Sequence, residues 1–179
     1  MPTWQEIAAE KKDRQTASIP KEWLITPPAD DVLDVTDVPA KCGLLSARDL
    51  EITTVSDATV LLRKLATGEW SSVEVTTAFS KRAIIAHQVV RPSSFLLPAS
   101  RPVISTHAPV SSFQTNCLTE IFIDRALERA AWLDEQLKST GKVVGPLHGL
   151  PISLKDQICI KGLETTMGTR AIMYPLNIT

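Results

Sequence analysis

The chain has 179 residues, 44 % of them hydrophobic and 22 % charged, with a mean hydropathy of +0.04, a balance that excludes disorder throughout. Nineteen basic against twenty acidic residues leave a formal charge of -1, so no overall field attracts phosphate backbones or anionic lipid, and neither nucleic acid nor a membrane is an expected partner. Cys42, Cys117 and Cys159 are odd in number with no CxxC pair, which argues against a disulfide framework or a zinc site. Residues 1–14 lack the apolar core of a signal peptide, and no apolar run approaches the roughly 20 residues of a membrane span, so the expected location is cytoplasmic.

Thr3-Trp-Gln-Glu6 has the spacing of a capping box and predicts a helix from Trp4 to about Thr16. From Ile19 to Ala40 the prolines at 20, 27, 28 and 39 each remove a backbone donor, so this stretch reads as an extended arm. A surface linker, an arm laid over a globular body and an arm reaching across a dimer partner all remain open. Ser56 reads as the cap of a helix carrying Val60, Leu61, Leu62 and Leu65 and ending at Gly68. Ser71-Ser-Val-Glu74 is a second capping box, opening a helix through Val75, Ala78, Phe79, Ala83 and Ile84, and the two together predict a helical hairpin. Val89 to Gln114 holds four Pro and six Ser but no Gly, Lys or acid, and reads as a structureless insertion. A third helix is expected from about Ile123 to Lys138, its apolar residues spaced by three and four, with Gly141 as its stop.

The segment VVGPLHGLPISLKDQICIKGLETTMG, starting at Val143, differs in character. Gly145-Pro146 and Gly149 punctuate a turn region, after which Ile152, Leu154, Ile158 and Ile160 suggest strand pairing from Pro151. Lys155 sits within this alternation. Enclosed among such neighbours, a lysine is desolvated toward its neutral amine and can serve as a general base. The plainer alternative is a strand-end lysine paired with Asp156 at the surface. His87, His107 and His148 lack metal-ligand spacing, and Cys159 between two isoleucines reads as a packed thiol.

The run Gly145-Pro-Leu-His-Gly-Leu-Pro-Ile-Ser-Leu-Lys155-Asp156, followed by Lys161-Gly-Leu-Glu-Thr-Thr166-Met-Gly168, resembles the segment around the catalytic lysine of the amidase signature family. The stretch from Trp4 through Ile19-Pro20 to Gly68-Glu-Trp-Ser-Ser-Val-Glu-Val-Thr76 and Lys81-Arg82-Ala83 further resembles the N-terminal region of fungal acetamidase-type members. The resemblance implies an α/β fold, an α/β/α sandwich around a mixed sheet, of which this chain would hold N-terminal helices and the first core strands. It implies amide hydrolysis by a Ser–cis-Ser–Lys triad, with a small-molecule amide as substrate, no metal or organic cofactor, and room for a homodimer in the full-length enzyme. Lys155 matches the base. By family position Thr165 and Thr166 fall where the substrate cleft would be lined, with a simple polar turn before Gly168 as the alternative reading.

The family's two catalytic serines lie in Gly/Ser-rich stretches beyond the lysine motif, and Ser153 fills neither role, so the 179 residues alone are expected to lack turnover. The expected organisation is an N-terminal helix and arm over 1–40, the N-terminal part of an amidase domain over 41–168 with the insertion at 89–114, and a divergent tail over 169–179. Removing the 26 residues of that insertion joins His87-Gln88 to Thr115-Asn-Cys117, a junction resembling fungal acetamidases, so these residues read as translated intron. Two rivals stand beside the enzyme reading. One is a non-catalytic interaction module or relic fragment; the other, within the family, is an amidotransferase A-type subunit.

Overall fold

The computed structural model describes residues 3–29, 32, 34–89 and 117–165. Helix α1 (Trp4–Ala17) starts at the predicted box: the Thr3 hydroxyl accepts the Glu6 amide at 3.3 Å, and the Glu6 carboxylate accepts the Thr3 amide at 2.5 Å. None of its described side chains is buried, so polar contacts hold it in place. Lys11 lies 2.5 Å from Glu120 and 3.4 Å from Glu164, Arg14 donates to both Glu164 oxygens, and the Gln15 amide donates to the Leu118 carbonyl.

The arm that follows lies on the body of the chain. Ile19 and Trp23 are buried against Ile84 and Ile123, and the Gln88 side chain donates to the Trp23 carbonyl at 3.1 Å while accepting the Ile25 amide at 3.0 Å. Helix α2 (Val38–Lys41) is a single turn in which Pro39 loses no hydrogen bond, because amides of a first turn have no partner within the helix.

Helix α3 (Ala47–Thr54) was not among the expected elements. Ser46 and Asp49 cap it reciprocally at 3.0 and 2.9 Å, and the same carboxylate receives Lys81 at 2.9 Å. Helix α4 (Ala58–Ala66) begins at Asp57 rather than Ser56, because the Asp57 carboxylate accepts both the amide and the hydroxyl of Thr59. Helix α5 (Ser72–Val89) is the centre of the described structure, packing along α3 and along α6 (Ile123–Thr140). The expected hairpin of α4 on α5 is therefore corrected. The two helices meet through side chains, Leu61 and Leu65 joining Ile52, Trp70, Val75 and Ala78 in one apolar cluster. Helix α6 runs two residues beyond the expected end and stops at Gly141, whose φ of 66° few other residues adopt.

Only half of the predicted box at Ser71 forms. The Ser71 hydroxyl accepts the Glu74 amide at 3.0 Å, but the Glu74 carboxylate turns outward to Arg48 at 2.8 Å. Asp134 of α6 caps the next two amides instead, accepting that of Ser72 at 2.6 Å and that of Val73 at 3.0 Å.

The expected strand from Pro151 does not form, and the described residues contain helices and turns but no strand. Ile152, Leu154 and Ile158 are 66 %, 45 % and 50 % exposed. Alternation can mark one face of a strand, but a strand persists only when a neighbour satisfies its amides and carbonyls, and the described residues offer none. The α/β sandwich thus appears here only as helices. Val89, the expected first residue of the 89–114 insertion, instead closes α5 and is buried, while residues 90–114, Thr166 and the tail at 169–179 lie outside the described residues. No helix among the described residues is long and apolar enough to cross a membrane.

Candidate active site

Beyond Gly141 the chain makes two successive turns, His148 donating its amide to the Gly145 carbonyl and Leu150 to that of Leu147, both at 3.2 Å. The His148 ring, 5 % exposed, closes the first turn from inside: its Nδ1 accepts the Val144 amide at 3.2 Å. Gly149 then passes so close to α5 that a Cβ built on it would lie 2.4 Å from Ser72 Oγ and 3.0 Å from a Leu65 methyl; its φ of +75° also requires glycine. Leu150 packs on the cluster of Ile52, Leu61, Leu65, Trp70, Val75 and Ala78. Residues 144–150 therefore form a pedestal seated on α4 and on the first turn of α5, which Asp134 caps from α6.

Lys155 lies in the stretch that leaves this pedestal. Its side chain is exposed, so the described residues do not enclose it as the apolar alternation suggested. Its carbonyl accepts the Ile158 amide at 2.9 Å, bending the chain through Asp156, and a second turn joins the Leu163 amide to the Ile160 carbonyl at 3.0 Å. The far end is also tied down. Arg125 of α6 donates to the Lys161 carbonyl at 3.2 Å, and Glu164 is gripped by Arg14 and Lys11. Burial acts to raise the Glu164 carboxyl pKa, but the hydrogen bond and charge of Arg14, together with Lys11, outweigh it and hold the group below the ordinary carboxylate value.

Thr165 is buried, with its hydroxyl donating to Cys159 Sγ at 3.9 Å, and Thr166 falls outside the described residues. Cys159 is exposed rather than packed, since the strand that would have covered it is not formed. His87, by contrast, is buried beside Cys117, 3.9 Å from its sulfur; burial pushes the imidazole pKa down and the thiol pKa up, which suits structural groups and not an activated thiolate. The sequence reading missed Asp134 and the contact of Gly149 with Ser72. The partners are 62 and 77 positions apart, so no local pattern marks either.

Residues 108–176 match the amidase family profile. An acetamidase from Emericella nidulans is 46 % identical over 167 residues, covering 93 % of this chain and 25 % of the relative. An amidase from Gibberella moniliformis is 43 % identical over 173 residues, covering 92 % of this chain and 28 % of the relative. Among solved structures, a fatty acid amide hydrolase matches with a TM-score of 0.72 and 35 % identity, over 92 % of this chain and 26 % of that one. The chain thus spans about a quarter of the length of the proteins it matches.

Proposed function

We propose that this chain, over the residues it spans, belongs to the amidase signature family and is the lysine-bearing part of an amidase that hydrolyses small carboxamides to carboxylate and ammonia. In this reading Lys155 is the base. It draws a proton through a bridging serine from a nucleophilic serine, which attacks the amide carbonyl; backbone amides hold the oxyanion, and water releases the acyl group. Both serines, and the layer that covers Lys155, come from the part of the amidase this chain does not span. The 179 residues alone are then inactive.

The observation that best supports this reading is the mounting of the 151–165 segment. It is exposed in the middle, where Lys155 stands, and fixed at both ends, by the 144–150 pedestal and by the Arg125 and Glu164 contacts. A base must hold its position while its surroundings are completed around it. The exposure of Lys155 also fits the second reading, a non-catalytic module, and one experiment separates the two. Residues 1–165 replace the matching segment of the Emericella acetamidase, and ammonia release from acetamide is measured. An active chimera that loses at least about 100-fold on Lys155→Ala supports the base role. Activity unchanged by that substitution refutes it, and a folded but inactive chimera favours the module.

A further inference from the structure

We propose that His148 is a positioning residue for the Lys155 segment, held as the neutral tautomer with its hydrogen on Nε2, and that its Nδ1 lone pair clamps the turn from which that segment departs. The ring lies four residues beyond the amide it receives, with Gly145, Pro146 and Leu147 enclosed between them. An amide can only donate, so the Nδ1 it meets at 3.2 Å carries a lone pair, and the ring hydrogen belongs on Nε2. Nε2 is buried and finds no hydrogen-bond partner among the described residues. A buried polar atom without a partner is costly, so the ring is kept inward by what its other nitrogen does.

Protonation of Nδ1 would set two donors against each other across 3.2 Å, and the clamp would open. Gly149, the next residue, sits against Ser72, so an open clamp would shift the contact between this turn and the start of α5. The catalytic importance of this placement rests on the reading of Lys155 as the base; the clamp itself does not.

The test uses the 179-residue chain labelled with ¹⁵N-histidine and three variants. Long-range proton–nitrogen correlations at neutral pH should show one ring, absent from the variants, with an unprotonated Nδ1 and a hydrogen on Nε2. Asn places an oxygen near the position of Nδ1, whereas Gln places its polar atoms near Nε2. Limited trypsin cleavage after Lys155 is compared with cleavage after the exposed Lys41, which lies outside the pedestal and controls for changes elsewhere in the chain. His148→Ala and His148→Gln should raise the Lys155-to-Lys41 cleavage ratio roughly three- to tenfold, the population change one net hydrogen bond supplies, and His148→Asn should restore the parent ratio. A hydrogen on Nδ1, a ratio unmoved by His148→Ala, an equal rise at both lysines, or failure of Asn to restore the ratio would each overturn the proposal. Failure of the base reading shows separately, as a chimera indifferent to Lys155→Ala.

Discussion

The cap that α6 places on α5 can be tested by removing a single carboxylate. Asp134 is partly exposed, yet its two oxygens take the two leading amides of α5 at 2.6 and 3.0 Å. A hydrogen bond to a charged group contributes about 1.5–3 kcal/mol, and loss of an N-terminal cap costs about 0.5–2 kcal/mol. With partial exposure, Asp134→Ala is expected to destabilise the first turn of α5 by about 2–3 kcal/mol, equivalent to a roughly 30- to 160-fold rise in local opening. Asp134→Asn keeps one acceptor and loses the charge, so about 1 kcal/mol should be lost. Residue-resolved amide exchange reads this directly. The Ser72 and Val73 amides should exchange faster in Asp134→Ala, and the Glu74 amide, held by Ser71, should change less. Because Ser72 supports Gly149, the amides of His148 and Leu150 should follow Ser72. Unchanged exchange at Ser72 and Val73 would refute the assignment, as would an equal acceleration across all of α5, which would mean that the helix is lost and not merely uncapped.

Gly149→Ala should destabilise the pedestal by more than about 2 kcal/mol, since positive φ alone costs an alanine roughly 1–2 kcal/mol and the new methyl would collide with Ser72 Oγ. Adding Ser72→Gly should recover the collision part and leave the φ part, a non-additivity that a double-mutant cycle on urea midpoints measures. Leu65→Ala removes a side chain 1 % exposed that touches both the core and Gly149, and should cost about 2–5 kcal/mol in the same assay. Glu164→Gln should cost about 0.5–1 kcal/mol at neutral pH. The folded Glu164 carboxyl titrates below its ordinary value of 4.5, so its contribution is present above that value and is lost as pH falls through the folded pKa. The gap between parent and Glu164→Gln should therefore close on acidification below pH 4.5, and a gap that widens there would contradict the ion-pair assignment.

What could be read from the sequence follows the range of the interaction involved. Helices α1, α5 and α6 announce themselves through contacts three or four residues apart: the Thr3 and Ser71 boxes, the apolar spacing from Ile123, and the glycine after Thr140. Ser46-Ala-Arg-Asp49 carries the same kind of signal as Thr3-Trp-Gln-Glu6, so α3 was legible by the same rule. Asp57 displaced Ser56 as a cap because two potential caps stood side by side, and only the geometry of Thr59 decides between them. The strand at 151–160 fails for the opposite reason. Its alternation is local, but its stability depends on a neighbour far away in the chain, and an unpaired extended segment resolves into turns at Lys155–Ile158 and Ile160–Leu163.

The candidate site divides in the same way. Lys155 stands out because the residues around it form a motif, whereas the parts that hold that motif are dispersed: Leu65 in α4, Ser72 in α5, Asp134 in α6 and the His148 ring. Judged by spacing to other histidines, His148 has no role; its work is with a backbone amide four residues back, where ligand spacing does not look. These supports all lie within the described residues. In the proposed enzyme the cover over Lys155 comes from outside them. Exposed Ile152, Leu154 and Ile158 on either side of that lysine are the apolar surface a covering layer would bury, at about 25 cal/mol per Å² of apolar area removed from water. Successive side chains of an extended segment point to opposite faces, so in the proposed enzyme a layer that buries Ile152 and Leu154 does not by itself desolvate Lys155, whose amine needs a covering contact on the other face.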